Sequence, residues 1–338
     1  MKNILLLFLF AFSARARGAG YFRDAAAYSE SRGGQALLVV RRDATLFEKY
    51  AAGHSSGESH RIYSGTKSFW AVAAMAAVQD GLINLDEPAS NAIAEWRGDP
   101  RKRDVTIREL LNFTDGLPPA VQLHGEGVQD RDAFAVALPV VAFPGQVFIY
   151  GPSHLQVFCE VLRRRLRPYK ESPYHYLERK VLRPLGLWDV RHITDRAGNP
   201  LLATGFELTA RQWVRFGELI LHRGFYNRQL VDPDILENCF HGSEANPAFG
   251  IGFWLNRKSR AVDVEKMLDF PWRIQDWRDA CISRDAPPDM IVSLGSGFQR
   301  LYIIPSLDLV VARQGWSDHF SDACFLRLLL ADLRSVQP

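Results

Sequence analysis

Between Ser64 and Asp80 the chain runs as an uninterrupted, alanine-rich helical window, with Phe69, Val72, Ala73, Ala76 and Ala77 on one side and Gly81 placed as its stop. Apolar residues continue nearly all the way round, so no face suits water and other elements must enclose the helix. That demand calls for a sizeable core, which 338 residues at 47% hydrophobic content supply. The formal net charge of +3 is too small on this length to argue for a polyanionic partner, so nucleic acid binding is not expected.

The segments around this window set the architecture. Upstream, Gly34 to Arg41 is a β-branched and leucine-rich run, Arg42-Asp43-Ala44 is a turn, and Thr45 to Ala51 is again extended, which predicts a hairpin. From Leu85 to about Leu236 the pattern is helical with frequent breaks: Ile107 to Phe113, Ser153 to Leu166, Tyr174 to Leu182 and Ala210 to Arg223. Strand patterns return at Gly250 to Asn256, Met290 to Leu294, Gln299 to Ile304 and Leu307 to Arg313, before a final helix from Ser321 to Leu333. Strands at both chain ends with helices between predict an α/β (α+β) fold. A mainly antiparallel sheet built from both termini is flanked by helices and carries an inserted all-helical lobe. The expected division is 20–84 with 237–338 for the sheet domain and 85–236 for the lobe, with a site in the groove between them.

Met1-Lys2-Asn3, the apolar stretch Ile4 to Phe12 and the small residues around Ala14-Arg15-Ala16 suit a signal peptide over 1–19. The stretch is shorter than the roughly 20 residues a spanning helix needs. An apolar N-terminal strand and an uncleaved anchor are the competing readings. The expectation is a periplasmic or secreted monomer with no stable membrane span after cleavage. Cys159, Cys239, Cys281 and Cys324 are scattered, without a C-x-x-C pair or a histidine at zinc spacing, so no structural metal site is expected. A Cys239 to Cys281 disulfide is one of several open pairings.

Ser64-Gly65-Thr66-Lys67 places a hydroxyl and an amine three residues apart at the head of the buried helix, projecting from one face. Serine is a weak nucleophile unless a neighbouring base takes its proton, and a lysine partly removed from water has a depressed pKa that lets it be that base. The helix N-terminus adds a favourable partial charge for a developing oxyanion. Alone the spacing is weak, since about one such pair arises by chance in a chain this long. A capping serine beside a solvated lysine is its plain alternative.

Further stretches follow in order. Ile62-Tyr63-Ser64-Gly65-Thr66-Lys67-Ser68-Phe69, Asp80 to Pro88, Ile107 to Pro118 (similar to an "LLTHTSGLP" pattern), Pro184-Leu185-Gly186-Leu187 and Pro305 to Val311 together resemble the β-lactamase-related serine hydrolases. That family includes class C β-lactamases, D-alanyl-D-alanine carboxypeptidases, esterases and nylon-oligomer hydrolases. The resemblance implies Ser64 as nucleophile, with Lys67 and Tyr150 as its proton-handling partners. Tyr150 stands at the family's tyrosine spacing in Phe143 to Pro152, but Pro152 replaces the usual asparagine, for which Ser153 is a partial stand-in. Ser293 to Gln299 resembles the strand beside the nucleophile. Gly295 and Gly297 there would admit substrate to the backbone, and the Ser296 N–H would join that of Ser64 as an oxyanion hole.

Ser293 falls where the family's β-lactamases carry a lysine that grips a carboxylate, and Arg300 is a candidate to compensate. The missing lysine favours an esterase or amidase acting on a small-molecule or peptide-like substrate, with no cofactor and no metal. A carboxypeptidase or class C-like β-lactamase, and a catalytically silent homologue that binds cell-wall peptide or a partner protein, are the rival expectations. Trp254, Trp272, Trp277 and Trp316 are candidate cleft walls, whereas His241 and His319 have no role in the implied mechanism.

Overall fold

The computed structural model describes residues 21–125, 127–258, 282–317 and 319–335. The expected leader over 1–19, Cys281, Trp272 and Trp277 lie outside the described residues.

Helix α1 (Arg23–Glu30) precedes the hairpin of β1 (Gly34–Arg41) and β2 (Ala44–Tyr50). Both turn residues, Arg42 and Asp43, have positive φ, 50° and 59°. Two such residues make the primed turn whose twist matches that of the flanking strands. The two-residue strand β3 (His60–Arg61) leads to α2 (Thr66–Gln79), which is followed by α3 (Ile107–Asn112), α4 (Arg131–Ala137), α5 (Ser153–Leu166) and α6 (Pro173–Leu177). The chain returns through β4 (Arg191–His192) and β5 (Phe206–Leu208), which form a small sheet with β3. Helix α7 (Ala210–Leu221), the hairpin of β6 (Phe225–Tyr226) and β7 (Arg228–Gln229), and α8 (Pro233–Leu236) come next. The chain then closes with β8 (Trp254–Leu255), β9 (Ile291–Gly295), β10 (Gln299–Ile304), β11 (Leu309–Gly315) and α9 (Asp322–Ser335).

The main sheet has six strands in the order β2-β1-β11-β10-β9-β8, with every pair antiparallel. Its two sequence halves meet where β1 pairs β11, with Val39 opposite Val311. The fold is thus the expected mixed α/β one, with a sheet built from both chain ends. Side chains alternate faces along a strand, and β10 displays the rule. Leu301 turns toward α7, where a Cβ on Gly217 would stand 3.3 Å from it, whereas Arg300 and Tyr302 turn the other way and bind Asp322 of α9. Helices therefore cover both faces.

Helix α2 is buried from Thr66 to Ala77, as an all-round apolar surface requires. Ser68 Oγ donates to Gly252 O at 2.7 Å and lies 2.8 Å from Ser293 Oγ, contacts that stitch the helix to β9 and to the segment before β8. The latter segment explains why the strand expected over 250–256 shrinks to two residues. Gly252 has φ +70°, and a Cβ there would lie 2.9 Å from Lys67 O, so the chain packs against α2 instead of continuing the ladder. Reciprocal capping boxes, Thr106 with Glu109 and Thr209 with Gln212, fix the starts of α3 and α7. Among the described residues no helix is long and apolar enough to cross a membrane.

Candidate active site

The candidate site begins at the turn before α2. Tyr63, Ser64 and Gly65 form a single 3₁₀ turn, and Tyr63 is held at φ +46°, a left-handed conformation that costs a non-glycine residue about 1–2 kcal/mol. The turn leaves Ser64 half-buried while Lys67, one helical turn on, is buried. Lys67 Nζ donates to Ser64 Oγ at 2.9 Å and to Ala203 O at 3.1 Å. The carbonyl of Ala203 holds the amine in position, and no sequence pattern announces such a backbone partner.

Tyr150 forms the second wall. Its ring lies 4.7 Å from Lys67 Nζ, within the range of a favourable cation–π contact. The ring is buried in an aromatic cluster, edge-on to Phe113 at 5.4 Å and to Phe249 at 5.9 Å, with Trp254 at 5.8 Å. Trp254 therefore acts on the site by packing Tyr150. The next residues are pinned to Pro118 and Pro119: a Cβ on Gly151 would stand 2.4 Å from Pro119 Cα, and Ser153 Oγ donates to Pro118 O at 2.6 Å. Ser153 is fully buried, so its hydroxyl braces the start of α5 and does not replace the side-chain amide that Pro152 removes.

Behind this wall lies a pair that was not foreseen. His154 Nδ1 donates to Asp115 Oδ2 at 2.7 Å, with both side chains fully buried, and the imidazole stacks on Phe113 at 4.8 Å. The residues stand 39 apart in sequence, so only the tertiary fold reveals them. They support Phe113, which in turn supports Tyr150.

The third wall is the end of β9 and the turn after it. Gly295 is required here by the protein itself, because a Cβ would lie 2.0 Å from Ile62 O. The close approach brings β9 against the residues just before Ser64. Gly297 has φ +67° and lies under Trp316, whose ring would clash with a Cβ at 2.3 Å. Both glycines are demanded by close packing within the protein, a reason separate from the substrate access that the sequence suggested. Between them Ser296 is partly exposed. Trp316 is 55% exposed and meets the Tyr63 ring edge-on at 5.7 Å, giving this side an aromatic rim.

The profile of the family described as Beta-lactamase matches residues 20–313. The chain belongs to the Beta-lactamase family. No curated protein matches it. Solved structures share the fold at low identity. A provisionally named beta-lactamase from Bacteroides dorei DSM 17855 superposes with a TM-score of 0.69 at 20% identity, over 93% of this chain and 98% of that one. A family VIII carboxylesterase gives 0.67 at 17%, over 93% and 96%. An octameric penicillin-binding protein homologue from Pyrococcus abyssi gives 0.65 at 18%, over 92% and 75%.

As a Beta-lactamase-family hydrolase, the chain departs from the pattern at its third wall. Ser293, in place of a lysine, is fully buried, and its hydroxyl donates to Gly65 O at 3.2 Å. Arg300 does not compensate. It is buried on the α9 face, paired with Asp322 at 2.7 and 3.1 Å, and it also donates to Gly295 O at 3.0 Å. Gln299 is likewise internal, bridging β10 to Gly315. His241 is exposed and held by Glu237 O, and His319 is also exposed. Cys159 and Cys239 are buried free thiols.

Proposed function

We propose that this chain is a serine hydrolase that forms an acyl-enzyme on Ser64 and acts on a small ester or amide lacking a carboxylate for a lysine to grip. The carrying observation is the 2.9 Å contact from Lys67 Nζ to Ser64 Oγ, made by a buried amine at the head of a buried helix. In the proposed reaction Ser64 Oγ attacks the substrate carbonyl while its proton passes to the Lys67–Tyr150 pair. The tetrahedral oxyanion is held by the backbone N–H groups of Ser64 and Ser296, and collapse expels the leaving group with a proton from the same pair. Water then attacks the ester on Ser64 by the reverse proton route, releasing the acid. Gly295 and Gly297 support this reading indirectly, by allowing the Ser296 turn to close on Ile62 and Trp316.

The rival within the family, turnover of β-lactams or D-alanyl peptides, is weakened by the buried hydroxyl at Ser293 and by the engagement of Arg300 with Asp322. A catalytically silent role is motivated by Pro152 and Ser293, yet it leaves the Lys67 to Ser64 contact without a purpose. The proposal also includes export through a 1–19 leader, a monomeric state, and the division into a sheet domain (20–84, 237–338) and a helical lobe (85–236). N-terminal sequencing of the mature protein and its hydrodynamic mass test the first two.

The deciding experiment is a panel of p-nitrophenyl esters, short amides, D-alanyl peptides and cephalosporins. Neutral esters or amides should turn over fastest, and all turnover should fall in Lys67→Ala. Preference for cephalosporins, or activity indifferent to that substitution, contradicts the proposal.

A further inference from the structure

A cluster of side chains of metal-ligating type, His54, Glu58 and His60, lies on the approach to the Ser64 turn. After β2 the chain reverses through Gly53, at φ +84°, and the Ser55-Ser56-Gly57 stretch, with His54 N donating to Ala51 O at 3.0 Å and Glu58 N to Ser55 O at 3.2 Å. This folding back sets Glu58 beside His54, and β3 then supplies His60, fixed by its pairing with Leu208 of β5. His54 Nδ1 lies 2.8 Å from Glu58 Oε2, and His60 Nε2 lies 3.9 Å from Glu58 Oε1. The two imidazole rings are 5.8 Å apart, and one ligand atom from each residue falls within 4.8 Å of the others.

We propose that His54, Glu58 and His60 form a divalent, zinc-class metal site with three protein ligands and one position left for water. Two imidazoles and one carboxylate are a recognised donor set for zinc. Bonds of about 2.0–2.2 Å at tetrahedral angles put neighbouring donor atoms roughly 3.3–3.5 Å apart, so the present spacings need only small side-chain rotations. Two histidines share the Glu58 carboxylate, one on each oxygen, so three donors face one small volume. Partial burial favours capture while leaving an entry path: the side chains are 24%, 38% and 12% exposed in the order His54, Glu58, His60. The site is independent of the hydrolase reading, since none of its residues belongs to the proposed proton route. Its location gives it a consequence all the same. His60 precedes Ile62, whose carbonyl abuts Gly295, so a bound ion would brace the segment that delivers Ser64.

The test is zinc titration of chelator-treated, full-length protein, with cobalt(II) substitution as a spectroscopic probe, on wild type, Glu58→Gln and His60→Ala. Wild type should bind one equivalent, show the intense visible bands of tetrahedral cobalt, and melt at a higher temperature with zinc. Either substitution should weaken zinc by at least about 100-fold, the upper range seen for loss of an outer-shell partner, and abolish the cobalt bands. Glu58→Gln changes no more than one atom of the side chain, and its metal-free melting curve serves as the folding control. Absence of a stoichiometric event in wild type, or binding that survives both substitutions, overturns the proposal.

Discussion

The two sides of the candidate site differ in the groups they carry. On the α2 side an amine, a hydroxyl and a phenol ring stand together, each packed into place: Lys67 by Ala203 O, Tyr150 by Phe113, Phe249 and Trp254. On the β9 side the position of a substrate-gripping lysine holds Ser293, whose hydroxyl faces inward to Ser68 and Gly65 and so serves the fold. Groups suited to moving protons persist where the group suited to recognising a carboxylate has gone. Under the proposed mechanism, chemistry and specificity are carried by separable elements, the first by Ser64, Lys67 and Tyr150 and the second by the β9 side.

The strongest way to break this contrast is on the α2 side. Lys67→Ala should lower turnover of the best ester about 10³-fold, and Tyr150→Phe about 10²-fold, within the usual range for general acid–base groups. Steady-state kcat and KM from a substrate-concentration series check both, and an effect confined to KM would remove these residues from the proposed proton route.

On the β9 side the corresponding change should act on stability. Ser293→Lys forces a long cation into a fully buried site, and denaturant unfolding should register a loss of about 3 kcal/mol or more with no gain in carboxylate binding. Ser293→Ala should cost about 1–3 kcal/mol, because Ser68 loses one of its partners. A stable Ser293→Lys variant that gains cephalosporin turnover would mean the position faces the cleft after all.

The helical region supplies a control that separates pH effects on stability from those on chemistry. Burial raises the Asp132 carboxyl to about 8, beside the Cys159 thiol, which burial also pushes up. A carboxyl raised in the folded state keeps its proton while the unfolded chain has lost its own. Its contribution is therefore fully present below pH 4 and is lost as pH rises through about 8. Asp132→Asn should flatten the stability profile between these limits and leave the pH dependence of catalysis unchanged, as thermal melts and rate profiles across the range would record.

The smallest expected effect is at the rim. Trp316→Ala removes a half-exposed ring beside Tyr63 and should raise KM for aromatic esters about threefold, with kcat unchanged.

Much of the fold was legible because its signals are local. The apolar surface of α2, the glycine that ends it, and the β-branched runs that became β1, β10 and β11 each report a periodicity or a breaker. Helix α1 went unread because Arg23 to Glu30 is short and has only a modest apolar face, and its burial depends on distant packing against the sheet and α9. The three side chains proposed to carry the chemistry, Ser64, Lys67 and Tyr150, were readable as spacing plus family pattern. The Asp115–His154 pair, the Ala203 carbonyl and the reason for Gly295 were not, because each is a contact between remote segments. The His54, Glu58 and His60 group is illegible for a related cause: its side chains converge through a turn and a strand pairing and not through a metal-site spacing.

The central claim is that Ser64 is an activated nucleophile, and reaction with a fluorophosphonate probe followed by peptide mapping tests it most directly. The account predicts stoichiometric adduct on Ser64, absent in Ser64→Ala and strongly slowed in Lys67→Ala. An unlabelled wild-type protein, or an adduct on another residue, would contradict it.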